Sequence, residues 1–157
     1  MPFKVFISHS VSPKELAVVY TLAEEAIKKG MSPFVPDRMW NPEEETPERI
    51  RQAINECDSV VLFGTKYGTH IDWLKKELDE SKKLNKKFIA LLDPEISLDG
   101  AELESARIKI DPRQLSKTIK EAASHLESMK LKKNQEELLV WIVIGSLLFL
   151  LISGEEK

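Results

Sequence analysis

The segment DWLKKELDESKK, residues 72–83, is the part of this chain best equipped for chemistry. Leu74 and Leu78, with Ile71 beside them, recur at the spacing of an amphipathic helix that buries one stripe. Lys75 with Asp79, Lys76 with Glu80 and Asp79 with Lys83 stand four residues apart with opposite charge, the usual dressing of a solvated face. Glu77 has no such partner; its neighbours at three and four residues are Trp73, Leu74, Glu80 and Ser81. A carboxylate in the row beside a core stripe, with an aromatic ring one turn earlier, is a group whose environment a cleft can tune. The same spacing also fits a glutamate at the solvated edge of the helix. In either case Glu77→Gln should change stability by no more than about 0.5 kcal/mol.

Other chemistries find no constellation. His9, His70 and His125 are scattered without metal-ligand spacing, so no metal site is expected. The absence of a P-loop, a GxGxxG fingerprint and a GxSxG elbow argues against an ATPase, a dehydrogenase and a serine hydrolase. Ser8 and Ser10 would need a base to act as nucleophiles, and His9 projects to the other side of an extended chain. The single cysteine, Cys57, excludes an intrachain disulfide and suits a buried thiol in a reducing compartment. A net charge of −3 gives no basic face to neutralise phosphates, so nucleic acid is not an expected partner. The opening MPFKVFISHS lacks an apolar run of signal-peptide length.

Alternating elements must position these side chains. Residues 3–8, 31–36, 58–65 and 86–93 read as short, apolar strands, and 107–110 as a fifth at a sheet edge. Between the first two, Ser12-Pro13-Lys14-Glu15 forms a capping box that opens a helix bearing Leu16, Val19, Ala23, Ala26 and Ile27; Lys28, Lys29 and Gly30 close it. Thr46-Pro47 opens a second helix with Ile50, Ala53 and Ile54 inward, and Asp111-Pro112 a last one carrying Leu115, Ile119, Ala122, Leu126 and Met129. Strict β/α alternation at these lengths implies an α/β, flavodoxin-like parallel sheet of order 2-1-3-4-5 with helices on both faces. Its ligand crevice should lie where strand order reverses, between strands one and three. That places Ser8, His9 and Ser10 on one wall, Gly64, Thr65 and Tyr67 on the other, and the 72–83 helix nearby.

Residues 138–152, LLVWIVIGSLLFLLI, carry no charge, and with Ser153 and Gly154 the run reaches the short end of what spans a hydrocarbon core of about 30 Å. Lys130, Lys132 and Lys133 precede it, and Glu155, Glu156 and Lys157 follow. The expected organisation is thus a domain over 1–130, a basic linker over 131–137, a C-terminal transmembrane helix over 138–154 and a short tail over 155–157. The domain would face the cytoplasm.

KVFISHS at the start, the charged loop after strand two, VVLFGTKYGTHIDWLKKEL and FIALLD together resemble the TIR domain family, in recognisable motifs over about residues 3–93 and in element order up to 130. In TIR enzymes that cleave NAD, a glutamate on this helix is catalytic and a tryptophan one turn earlier lines the pocket. The resemblance therefore implies Glu77 as the catalytic residue and Trp73 as a pocket wall. It also implies that Ser8, His9 and Ser10 line the substrate crevice. Asp37 and Trp40 would sit on a mobile loop, 37–46, that completes the site or contacts a neighbouring domain, with Trp40 stacking on adenine. Where related loops often pair glycine with proline, this one has Asn41-Pro42 and no glycine.

One carboxylate suffices for such chemistry. Nicotinamide in NAD is a cationic pyridinium that departs neutral, so the general acid that glycoside hydrolases need for an alkoxide leaving group is unnecessary. A fixed carboxylate then stabilises the oxocarbenium-like ribosyl transition state. Water gives ADP-ribose; an internal nucleophile gives a cyclic product. No cofactor is expected, NAD being the substrate. The resemblance further implies self-association through the domain and a role in stress or antiviral defence signalling. Two alternatives stand beside it: a non-catalytic TIR-type adaptor, and a nucleoside deoxyribosyltransferase-like enzyme, which shares the sheet order and a glutamate nucleophile.

Overall fold

The computed structural model describes residues 2–68, 71–93, 96, 107–109 and 114–131. Its sheet grows outward from β1 (Phe3–Ser10), whose eight residues are almost all buried because the strand lies between two neighbours and under helices on both faces. On one side β1 pairs in parallel with β2 (Met31–Phe34), and on the other with β3 (Ser59–Gly64), setting Ser8 opposite Leu62 and Ser10 opposite Gly64. The strand β4 (Lys87–Leu92) lies beside β3, and the short β5 (Arg107–Lys109) beside β4, giving the order β2-β1-β3-β4-β5. β2 ends at Phe34 rather than at Pro36. It carries Pro33, which has no N–H to donate, and so belongs at a sheet edge.

Helices α1 (Leu16–Lys28) and α4 (Leu115–Leu131) pack against each other on one face, and α2 (Glu48–Glu56) and α3 (Asp72–Lys83) on the other. The capping box forms as its residues imply, with the Glu15 carboxylate accepting the Ser12 N–H at 2.9 Å, although the first turn, Pro13–Glu15, is a 3-10 turn. Gly30 follows α1 with φ of 78°, the left-handed conformation that closes a helix, and a Cβ there would stand 2.8 Å from the Lys130 Nζ. Val19, Leu22, Ala23 and Ala26 are the buried residues of α1, whereas Ile27 is 59% exposed, one step past the stripe. In α4 the buried residues are Thr118, Ile119, Ala122, Ala123, Leu126 and Met129. Cys57 is a free, buried thiol, and burial pushes its pKa up to about 11.

The expected membrane anchor is corrected by this structure: among the described residues no helix is long and apolar enough to cross a bilayer. The longest described helix, α4, interleaves its buried stripe with Lys117, Lys120, Glu121 and Glu127, so it offers lipid no apolar circumference. Residues 138–154, on which the expectation rested, lie outside the described residues. The membrane localisation, and the cytoplasmic orientation derived from it, are withdrawn.

Candidate functional site

Along β1, side chains alternate between the two faces of the sheet, so Ser8 and His9 point oppositely although both are buried. Ser8 meets α3, which packs over β1 and β3, and its hydroxyl donates to the Glu77 Oε1 at 2.6 Å. Glu77 is 0% exposed and is therefore a core residue, not an edge residue of its helix. The expectation that it lacks an ionic partner also fails. Arg38, in the loop after β2, donates Nη1 to Oε2 and Nη2 to Oε1, both at 2.8 Å, a bidentate fork on the carboxylate.

Arg38 is itself held from two further directions. Its Nε and Nη2 donate to the His9 carbonyl at 3.0 and 2.6 Å, and its guanidinium lies 5.2 Å from the centroid of the Trp73 ring. Trp73, partly buried, donates its indole N–H to the Trp40 carbonyl at 3.0 Å. Trp40 does not present its ring for stacking; at 8% exposure it is part of the core, and its backbone is what serves the site. The indole Nε1 of Trp40 is a buried donor without an acceptor among the described residues. Asp37 turns outward, where it accepts the Met39 N–H at 3.0 Å and forms an exposed pair with Arg49 at 3.0 Å. Arg49 and that backbone N–H hold its carboxyl below the usual range.

The electrostatics follow from burial. Desolvation pushes the Glu77 carboxyl above its ordinary range, against the opposing pull of Arg38 and then of Ser8. Every partner it has in this geometry donates to it, the arrangement of a carboxylate. Burial and, after it, the Arg38 charge lower His9 to about 4, so its imidazole is neutral at neutral pH. Its Nε2 lies 3.0 Å from the Pro36 carbonyl, which can only accept, so the proton sits on Nε2.

The residues foreseen around the sheet switch point thus divide. Ser8, Trp73 and Glu77 meet Arg38 on the α3 face of the sheet, His9 joins them through its backbone carbonyl while its ring points to the opposite face, and Ser10 packs against the turn after β3. Gly68 packs so closely there that a Cβ would stand 2.3 Å from the Ser10 carbonyl oxygen. Thr65 donates its N–H to that same oxygen at 3.0 Å and its hydroxyl to the Glu15 Oε1 at 2.6 Å. Tyr67 is 64% exposed. No three His, Cys, Asp or Glu side chains converge as a metal would require among the described residues.

The residue missed from sequence is Arg38. A signal existed: a glutamate beside a core stripe without a local partner needs a distant cation, and Arg38 is the only basic residue in the 37–46 loop.

No curated protein matches this chain. Among solved structures, the TIR domains of the activated Roq1 resistosome, which directly recognises the pathogen effector XopQ, match with a TM-score of 0.48 at 16% identity, over 94% of this chain and 83% of that one. The profile of the TIR domain family matches residues 5–127, most of the length described, and the chain belongs to that family.

Proposed function

We propose that this TIR-family chain cleaves the nicotinamide–ribose bond of NAD as a glycohydrolase or cyclase, with Glu77 as its catalytic carboxylate, and that self-association switches it on in defence or stress signalling. One observation carries the reading: a carboxylate 0% exposed, packed on the carboxyl-terminal half of β1, on which a hydroxyl and a guanidinium converge beside an indole face. Folding does not call for such a group, since replacing a buried ion pair by apolar residues is often neutral or stabilising. A buried carboxylate among the largely apolar side chains of this layer is instead the kind of group that chemistry uses.

Each neighbour has a role in that chemistry. Ser8 fixes the rotamer of Glu77 by donating to Oε1. Trp73 offers its ring to a planar pyridinium. Neutral His9 ties the end of β1 to Pro36 and so sets where the Arg38 loop begins. Departure of neutral nicotinamide leaves a ribosyl cation-like centre that the carboxylate stabilises, and attack by water returns a proton to solvent and yields ADP-ribose. Incubating the concentrated full chain with NAD and separating the products by chromatography should show nicotinamide release. Glu77→Gln should lower that rate on the order of 10²–10³-fold.

A second reading has its own support: Arg38 occupies both oxygens of Glu77, as a purely structural clamp in a signalling adaptor would. Parent protein that is folded, concentrated and inert toward NAD would favour it.

A further inference from the structure

The Arg38 guanidinium does to Glu77 and Trp73 what a nicotinamide nucleoside would have to do. It is a planar cation held 5.2 Å from the centre of the Trp73 ring, as a pyridinium would be. It presents two adjacent donors to the two carboxylate oxygens, each at 2.8 Å, as the paired hydroxyls of a ribose would. We propose that Arg38 is an internal occupant of the substrate position, a plug that the cationic half of the substrate must displace; this rests on the NAD-cleaving reading above and adds its regulation.

The placement of Arg38 suits exchange. It stands between β2 and α2, outside any helix or strand, and its two neighbours in sequence are loosely committed. Met39 is 91% exposed, and Asp37 is held by a pair with Arg49 whose side chains are 40% and 54% exposed, the kind of contact that contributes little. Trp40, buried, anchors the loop one residue further on, so the swing is confined to the few residues after Phe34. Leaving Glu77 buried without a counter-ion is strongly unfavourable. Arg38 therefore leaves in exchange for another cation, which favours oxidised NAD over the reduced form, whose nicotinamide ring carries no charge.

The test uses the full chain as parent, Arg38→Gln and Arg38→Lys, each checked by thermal melting. Glu77 is first probed without any turnover, by carbodiimide-driven coupling of a small amine read by mass spectrometry of the peptide containing it. The plug predicts a protected Glu77 in the parent, ready labelling in Arg38→Gln, and suppression of that labelling by the nicotinamide riboside cation but not by its reduced form. Should Arg38→Gln not fold, Arg38→Lys, which keeps the charge and loses the fork, must give labelling above the parent. Where nicotinamide is released, removing an occupant that fills most molecules lowers the apparent KM for NAD by about tenfold or more. Equal labelling of parent and variants, or a fall in kcat with KM unmoved, overturns the plug. Labelling that behaves as stated in a chain that never cleaves NAD keeps the plug and removes the NAD-cleaving reading instead.

Discussion

Two glutamates in this molecule accept a hydroxyl at the same distance, 2.6 Å, and respond in opposite ways. Glu15 receives the Thr65 hydroxyl and the Ser12 N–H at the β1–β3 side of the sheet, where it is only partly buried. Burial raises its pKa, but the Thr65 hydroxyl and Ser12 together outweigh that, and the carboxyl is held below its ordinary range. Glu77 receives the Ser8 hydroxyl and the Arg38 fork, yet desolvation prevails and its pKa is raised. A short hydrogen bond therefore does not by itself set the direction of a carboxyl's pKa shift; the surrounding dielectric decides it. Glu15 staples two loops in contact with water. Glu77 is kept where burial makes ionisation unfavourable and where a charge acts strongly on its neighbours.

The comparison breaks most visibly at Glu77. Since Arg38 is only 14% exposed, Glu77→Gln leaves a largely buried guanidinium without its charge partner, and unfolding in urea should show a loss of about 3–5 kcal/mol. This replaces the expectation, formed from sequence, that the substitution is nearly neutral for folding. Activity of the variant must accordingly be measured well below its melting temperature. A variant as stable as the parent would show that Glu77 and Arg38 part easily.

Acid titration sharpens the contrast. His9 falls from 6.5 to about 4 on folding, so its neutral form is the one the native state binds. Its contribution is fully present above pH 6.5 and is lost as pH falls toward 4. At about 1.36 kcal/mol per pH unit, it is linked to about 3 kcal/mol. Glu15, with a lowered pKa, likewise loses stability in acid as pH falls through its folded value, whereas Glu77, with a raised one, contributes stability that is lost as pH rises. His9→Gln should flatten the stability profile between pH 6.5 and 4. An unchanged slope there would remove His9 as the source.

At Glu15 the expected effect is smaller. Thr65→Val keeps shape and removes one partly buried hydrogen bond, which should cost about 0.5–1.5 kcal/mol by the same urea measurement. Nicotinamide release should be retained, because Thr65 bonds Ser10 and Glu15 and neither of the residues, Ser8 and Arg38, that hold Glu77. Loss of release without loss of stability would show that the β3 turn belongs to the site after all.

How much of this was legible in the sequence depended on range. Local signals held: the Ser12–Glu15 box, Gly30 at the end of α1, and the stripe of Ile119, Ala122, Leu126 and Met129 each involve residues a turn or so apart. The sheet order followed from alternation and chain reach. Glu77 stood out for want of a local partner, but its actual partner lies 39 residues away, and no periodicity links a helix to a loop across the sheet. Trp40 misled for a related reason. A tryptophan in a charged loop reads as exposed, yet here it is the loop's anchor in the core. The apolar run at 138–152 showed composition alone, which does not specify what an apolar segment packs against.

The smallest effect belongs to the control on α3 itself. Glu80 stands one turn after Glu77, and by spacing its partner was Lys76; in the structure it pairs with Lys83 at 3.7 Å, whose side chain is 72% exposed. A pair of that length, open to water at one end, is screened and gives back in side-chain entropy most of what it gains in attraction. Glu80→Gln should therefore shift stability by no more than about 0.5 kcal/mol. It should also leave nicotinamide release at the parent rate, since Glu80 makes none of the contacts that hold Ser8, Arg38 or Trp73. The two substitutions remove the same charge from the same helix, so any general effect of net charge or of helix propensity appears in both. A Glu80→Gln protein that loses release as severely as Glu77→Gln, while melting normally, would mean that the charge of α3 as a whole, and not the buried carboxylate, governs the chemistry.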